Sequence, residues 1–370
     1  MRNLFILGFA LLLGCFTTFS QEDVETDKKN RKKKESKDVV VNEDSDSTEG
    51  NNTPNNYKPT SGISIIKVTD SIFMLKGKGG NIGVSIGDDG VFMIDNQFAE
   101  ATPAILQNIS RLSSKPIQFL INTHHHEDHT GGNKNMNDLG TIIYSHDNVK
   151  KRLIEEVEKK AESDLMTAYE QKIEKLSKDG NNEKAEQKAK ESVESIDQFI
   201  NKDNIYPMIT FSEQLTFYYN GEKIMLFHVE NAHTDGDVMV YFTKSNVLHT
   251  GDAFFNGKYP FIDVDNGGSF RGNSSALSKI LMVADKDTKI IPGHGDLATI
   301  EDVKYTQSMI SFLTERIVFH IVSKKTEKEI LQMKDLTKEF DNKGFGDGFI
   351  STEKFIKALY KDMSKKYRYK

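Results

Sequence analysis

The sequence predicts an α+β fold in two strand-rich halves, and three observations carry that reading. Short apolar runs of strand type come in two groups, one before and one after a long charged stretch at residues 147–204. Helical patterns lie between and after the groups. Several of the runs are followed at once by a histidine or an aspartate, at the strand ends and loops where functional groups collect.

In chain order, Leu4 to Gly14 is an apolar run behind Met1-Arg2-Asn3. It is too short to span a bilayer but fits the core of a secretory signal, so residues 1–20 are expected to direct export, with cleavage near Ser20 and no transmembrane segment in the mature chain. Leu12-Leu13-Gly14-Cys15 offers a competing lipoprotein cleavage box, weakened by its second leucine and by the apolar residues after Cys15. Cleavage at Ser20 would remove the only cysteine, leaving neither a disulfide nor a thiolate metal ligand. Residues 21–60 are rich in Lys, Glu, Asp, Asn and Ser and read as a disordered charged linker. Their basic run, Lys28 to Lys34, is followed by acids, and the whole chain carries a formal charge of −6, so nothing supports a nucleic-acid partner.

The main folded domain is expected at 61–312, long enough to bury its own core. Strands are predicted at Ile63–Val68, Ile72–Leu75, Ile82–Ile86 and Val91–Ile94 in the first half, and at Leu215–Tyr219, Lys223–Val229, Val238–Phe242 and Asn246–Leu248 in the second. Helices are predicted at Ala104–Leu112 and Ala276–Ala284. Within the insertion, Val149, Leu153, Val157, Ala161 and Leu165 recur every four residues, as do Ala185, Ala189 and Val193, followed by Ile196, around a break at Asp179-Gly180-Asn181-Asn182. That pattern predicts a charged helical hairpin, read as a lid or a homodimer contact against the blander alternative of a solvated decoration. Residues 313–370 add amphipathic helices.

The chemistry is concentrated in Thr123 to Asn133, THHHEDHTGGN, which follows the strand pattern Ile117–Ile121. Alternation along a strand would bring His124, His126 and Asp128 to one face, with His129 reaching the same place from the turn. Burying four such groups unpaired would cost several kcal/mol, on the order of a lost hydrogen bond or more each, so the pattern points to a metal ion. Three later segments supply further donors: His233 in NAHTDGD, Asp252 in VLHTGD and His294 in IIPGHGD.

This series, H-x-H-x-D-H followed by a second histidine, a Gly-Asp and a late Pro-Gly-His, resembles the metallo-β-lactamase-fold hydrolase superfamily over about Gly62 to Phe312. The resemblance implies a four-layer αβ/βα sandwich with metals at one edge. It implies a first metal on His124, His126 and His233, a second on Asp128, His129 and His294, and Asp252 bridging the two, a glyoxalase II-like ligand set. Aspartate at the bridging place separates the chain from the metallo-β-lactamases that use cysteine there.

The cofactors expected are two divalent ions, zinc first, with iron and manganese open to the same donors. Ions about 3.5–4 Å apart can share a hydroxide formed from water at neutral pH, with Asp128 orienting it or carrying its proton. The expected reaction is hydrolysis of an activated acyl bond in a small-molecule substrate: β-lactam, lactone, thioester or ester. The alternatives are a phosphodiesterase of the same fold, a mononuclear-iron sulfur oxygenase and a non-catalytic metal-binding protein.

Around this set, Asp95 is a candidate partner for a ligand histidine, or a plain strand-end turn residue. The loop Lys76-Gly77-Lys78-Gly79-Gly80 is expected to overhang the site, as in similar proteins. Tyr259, Phe261 and Arg271, in the stretch after Asp252, are candidates for substrate contact. His125 is expected on the face opposite the ligands, His228 and His249 as hydrogen-bonded structural residues, and His146 and His320 show no visible partner. Asp347-Gly348-Phe349-Ile350-Ser351 imitates a calcium loop, but Lys343, Phe345 and Lys354 stand where it needs oxygen donors, so no calcium site is predicted.

Overall fold

Strand residues alternate between two apolar environments, and that alternation builds the layers. A computed structural model describes residues 62–179 and 204–367. The signal, the linker, Cys15 and the second half of the expected hairpin lie outside the described residues.

The first sheet has seven strands in sequence order. They are β1 (Ser64–Lys67), β2 (Ile72–Lys76), β3 (Ile82–Gly87), β4 (Gly90–Ile94), β5 (Ile117–Ile121), β6 (Ile142–His146) and β7 (Ile209–Phe211). Pairing is antiparallel from β1 to β4 and parallel from β4 to β7. The second sheet has five strands in the order β12-β11-β10-β9-β8. They are β8 (Gln214–Tyr219), β9 (Glu222–His228), β10 (Val238–Phe242), β11 (Val247–His249) and β12 (Lys289–Ile291), with only β11 and β12 parallel.

Ile72, Met74, Phe92, Ile94 and Ile121 meet Val238, Val240, Phe242, Val247 and Ile291 between the sheets. The residues one step along, Phe73, Leu75, Val91, Met93 and Leu120, face outward onto Ile105 and Ile109 of helix α1 (Thr102–Ser110). In the second sheet Met239, Leu248 and Ile290 face outward onto other helices. The result is the expected order of helix, sheet, sheet, helix.

Three helices follow β5 and β6: α2 (Glu127–Thr130), α3 (Asn133–Asp138) and α4 (Asp147–Asp179), the last being the described half of the insertion. Arg152 of α4 grips both oxygens of Asp235, with Nη2–Oδ2 at 2.6 Å and Nε–Oδ1 at 3.3 Å, and Asn148 Nδ2 donates to the Asp235 carbonyl at 2.7 Å. The insertion is therefore docked on the loop that carries His233.

The outer layer of the second sheet is α5 (Phe270–Val283) and α6 (Ile300–Val322), followed by α7 (Glu327–Leu331), α8 (Lys338–Asp341) and α9 (Thr352–Tyr367). Helix α6 runs unbroken through the expected boundary at 312–313 because its apolar face, Val303, Met309, Ile310, Leu313, Ile317 and Ile321, is one stripe of one core. Phe355, Ile356 and Leu359 of α9 belong to the same core.

Candidate metal centre

The ligands reach one edge because β11 and β12 are parallel and end together, with His249 opposite Ile291. Asp252 follows β11 and His294 follows β12. Backbone bonds join this edge to the first sheet: Val238 N donates to the Thr123 carbonyl at 2.8 Å, and Asn81 N to the Gly293 carbonyl at 2.7 Å. Asn81 Nδ2 also donates to the carbonyls of Pro292 and Gly295.

The first motif does not converge by strand alternation as expected. Strand β5 ends at Ile121; the chain then bends through Asn122 to His125, and His126 caps the single turn of α2, which carries Asp128 and His129. Four ligand side chains thus come from a bend and one helical turn. Two glycines allow the close approach: a Cβ on Gly80 would lie 2.0 Å from His129 Cε1, and one on Gly293 would lie 2.0 Å from Asp252 Oδ1.

All seven expected donors gather. His124, His126, His233 and Asp252 form one set and Asp128, His129 and His294 another, with the donor atoms of each set within 4.8 Å of one another. Asp252 stands between the sets. Its Oδ1 is 3.1 Å from His129 Nε2, and its Oδ2 is 3.5 Å from both His233 Nε2 and His294 Nε2 and 3.8 Å from His124 Nε2. Asp128 Oδ2 lies 3.2 Å from His294 Nε2 and 3.7 Å from His129 Nε2.

These residues fit metal ions. His124 Nε2 and Asp252 Oδ1 are buried without a hydrogen-bond partner, although buried polar atoms are nearly always bonded. Each of the three histidines that the motif contributes to the donor sets has its remote nitrogen held: His124 Nδ1 by Thr123 Oγ1 at 3.1 Å, His126 Nε2 by Asp263 Oδ2 at 3.0 Å, and His129 Nδ1 by Asp95 Oδ2 at 2.7 Å. His233 Nδ1 donates to the Phe261 carbonyl at 2.7 Å. Such partners fix tautomer and ring orientation for a cation on the other nitrogen.

Asp95 is therefore a site residue, and it holds a left-handed φ of 60° in the buried interior. Its carboxylate also accepts from Thr123 N at 2.8 Å and Thr123 Oγ1 at 2.7 Å. Three bonds at one place offset the backbone strain.

Proton affinities split the cluster. Burial drives His124 well below the usual imidazole range and His233 down to about 4. Burial also acts on His129 and His294, but Asp252 with Asp95 and Asp128 overcomes it at His129, and Asp252 with Asp128 does so at His294. His129 is raised well above its usual value and His294 to about 9. Asp252 is held far below the usual carboxylate range by the surrounding imidazoles despite its burial.

A cavity of about 600 Å³ opens over the donors. Asp128, His126 and His294 lie at its base, Phe98, Phe255, Phe261 and Phe349 in its walls, and Lys76, Lys78 and Lys258 around it. The loop from Lys76 to Gly79 lines the cavity, and the next residue ties it to the donors, with Gly80 N donating to the Asp128 carbonyl at 3.1 Å.

Of the substrate candidates, Phe261 stays in the cavity wall. Tyr259 is a correction: it borders the cavity but is fully buried, stacked on Phe355 at 4.5 Å, and its hydroxyl donates to Asp341 Oδ1 at 2.9 Å. Its role is packing the C-terminal helices. Arg271 is the second correction: it is exposed on the first turn of α5 and lines a separate groove with Asn231 and Lys279.

His228, His249 and His146 are hydrogen-bonded within the fold. His228 Nδ1 donates to the Asp237 carbonyl at 2.8 Å, and His249 Nε2 to the Asn81 carbonyl at 3.2 Å. His146 does have partners: its Nε2 donates to the Ser212 carbonyl at 2.8 Å, and its ring stacks on His228 at 3.8 Å.

Two carboxylates were not singled out in the sequence. Asp263 holds His126, and Asp237 accepts from His233 N at 2.7 Å and Thr234 N at 2.9 Å, shaping the ligand turn. The signal for Asp237 was its place at the end of His233-Thr234-Asp235-Gly236-Asp237; for Asp263 only the general loop reading was available.

Fold and donor set together define a metal-binding protein of the metallo-β-lactamase type. The family model for the metallo-β-lactamase superfamily matches residues 75–294, and the chain belongs to that superfamily. Solved structures similar to it include the DIM-1 metallo-β-lactamase, at 19% identity and TM-score 0.48 over 68% of this chain and 97% of that one. A metallo-β-lactamase from Pontibacter korlensis matches at 14% identity and TM-score 0.49, over 67% of this chain and 99% of that one. VMB-1 matches at 16% identity and TM-score 0.47, over 68% and 98%. No curated protein matches the sequence.

Proposed function

We propose that the protein is a dinuclear metal-dependent hydrolase of activated acyl bonds, with zinc as the first candidate for both ions. The observation that supports this most directly is that Asp252, a member of one donor set, also lies 3.1 Å from His129 and 3.5 Å from His294 of the other and lines the cavity. His124, His126 and His233 would hold one ion, Asp128, His129 and His294 the other, with Asp252 between them. When bound, such ions ionise water near neutral pH and polarise the substrate carbonyl.

The chain's own groups then have distinct tasks. Asp128, partly open to the cavity and ionised through His129 and His294 despite its burial, orients the attacking water and accepts its proton. The phenylalanine walls exclude bulk water and hold an apolar acyl part. Lys78 and Lys258 have no carboxylate within ion-pair distance among the described residues, so they suit an anionic group on the substrate.

Those lysines also favour a second reading, phosphodiester cleavage by the same fold. They come from separate segments and meet only in the fold. A screen of β-lactam, lactone, thioester, ester and phosphodiester substrates, with metal counted on the same sample, tests both readings. Acyl turnover with two zinc ions supports the first, and phosphodiester turnover alone supports the second. One iron per chain without zinc points to an oxygenase, and full metal loading with no hydrolysis to a binding protein.

Export under residues 1–20 is part of the proposal, and the mass of the mature protein tests it. Among the described residues no helix is long and apolar enough to cross a membrane.

A further inference from the structure

Gln97 is fully buried, yet it holds a left-handed φ of 55°, and its Oε1 has no hydrogen-bond partner. Neither feature serves packing. Glycine would take that φ without strain, and methionine would fill the same space without an orphaned oxygen. What glutamine adds to either is one bond, from Nε2 to the Gly80 carbonyl at 2.7 Å. The loop between β2 and β3 packs on this side chain. A Cβ on Gly77 would lie 2.5 Å from Gln97 Oε1, and one on Gly79 would lie 3.3 Å from Gln97 Cβ and 2.7 Å from the Asp128 carbonyl oxygen. The Gln97 backbone is fixed from the other side, its carbonyl accepting from Gly132 N at 3.1 Å just past the ligand turn. Gln97 therefore clamps the loop to the segment carrying Asp128 and His129. It does not itself line the cavity, whereas Lys78, exposed at the tip of the loop, does.

We propose that Gln97 is a positioning residue, an amide latch that sets where Lys78 stands and so how tightly the site holds an anionic substrate. Lys78 has this task under the hydrolytic reading of the cavity; the latch itself does not depend on that reading. Both ends of the loop are anchored independently. Lys76 pairs with Asp296, two residues after His294, and Asn81 N donates to the Gly293 carbonyl at 2.7 Å. Between those anchors the loop is held by Gly80 N on the Asp128 carbonyl and by the Gln97 amide on the Gly80 carbonyl. Glycine at three of the five positions from Lys76 to Gly80 leaves the backbone little stiffness of its own, so the loss of one bond is felt at the tip. An ammonium on a wandering loop contributes less to binding than one held in place, because the ligand must then order the loop as well.

Full-length, zinc-loaded protein is compared with Gln97→Met, Lys78→Ala and the double variant. Elemental analysis should find the same zinc in each. Hydrogen exchange across residues 76–80, followed by mass spectrometry, should run about tenfold faster in Gln97→Met, the scale of one lost hydrogen bond. Initial rates are measured on bis(para-nitrophenyl) phosphate and a chromogenic cephalosporin, both anionic, and on neutral para-nitrophenyl acetate. Gln97→Met should raise KM about fivefold for the anions while kcat holds, leave KM for the neutral ester unmoved, and add nothing to Lys78→Ala in the double variant. Unaltered exchange overturns the latch. So does zinc lost from Gln97→Met, since Gln97 would then be supporting Asp128 and His129. A KM rise shared by the neutral ester, or additive with Lys78→Ala, overturns it too. If Gln97→Met does not fold, Gln97→Gly, relieved of its backbone strain, carries the same comparison. A wild type that turns over none of these compounds counts against the hydrolytic reading instead, and loop exchange alone then decides the latch.

Discussion

The two halves of the metal cluster use the same residue type and hold opposite numbers of protons. On one side His124 and His233 are packed away from water, and burial leaves them neutral. On the other, His129 and His294 face Asp252 and Asp128, which keep both protonated near neutrality in the metal-free protein. The difference teaches that one half is ready for a cation, whereas the other stores protons that a cation must displace. Asp252 belongs to both halves.

The comparison is broken most severely at Asp252. Asp252→Ala is expected to lose the second ion and to lower turnover by about a hundredfold or more, since the shared carboxylate holds both halves in register. Metal analysis with steady-state rates on the best substrate checks it, and a fully active variant refutes the bridging role.

The next effect is pH dependence, and its sign follows from the raised histidines. Below about 9 His294 carries a proton that the metal must expel. His129 is raised as well, so the metal displaces two protons. Second-site affinity should therefore rise about tenfold per pH unit for each, about a hundredfold per unit in all, from pH 6 to 8, with proton release at pH 7.5. First-site affinity should rise less steeply over that range, because burial leaves His124 and His233 neutral. Calorimetry in buffers of different ionisation enthalpy separates the two, and equal slopes would erase the contrast.

Asp95→Asn should weaken the second site most, by about 10–100-fold, because it removes the charge behind His129 Nδ1, and the first site less, through the Thr123 hydroxyl that holds His124. Equal weakening of both sites would mean that Asp95 acts on the fold. The smallest effect is expected at Tyr259→Phe, which loses one hydrogen bond to Asp341 and so about 1 kcal/mol of stability while turnover stays close to wild type. Thermal denaturation and the same rate assay decide, and a large rate loss would return Tyr259 to the substrate.

Much of this was legible in the primary structure because metal ligation demands particular side chains at particular strand ends. His124, His126, Asp128, His129, His233, Asp252 and His294 were all named from their motifs, and Val238–Phe242 is a strand with the bounds read from its alternation. Less legible was how the ligands converge: the bend from Asn122 to His125 leaves no periodic trace. Arg271 misled because a charged residue near a site and one on the next helix read alike. Tyr259 misled because its partner, Asp341, lies 82 residues away. Lys78 and Lys258 gained meaning only when the chain brought their segments to one rim.

The buried stack of Tyr259 on Phe355 has a further consequence. The segment carrying Gly348, Phe349 and Ile350 both borders the cavity and leads into α9, whose residues complete the core outside the second sheet. Selectivity and thermal endurance are thus inscribed in one stretch of polypeptide, and evolution could rarely have tuned either in isolation there. Phe349 is the exception: 79% exposed at the mouth, it is the position where a new preference could be sampled with little harm to the framework.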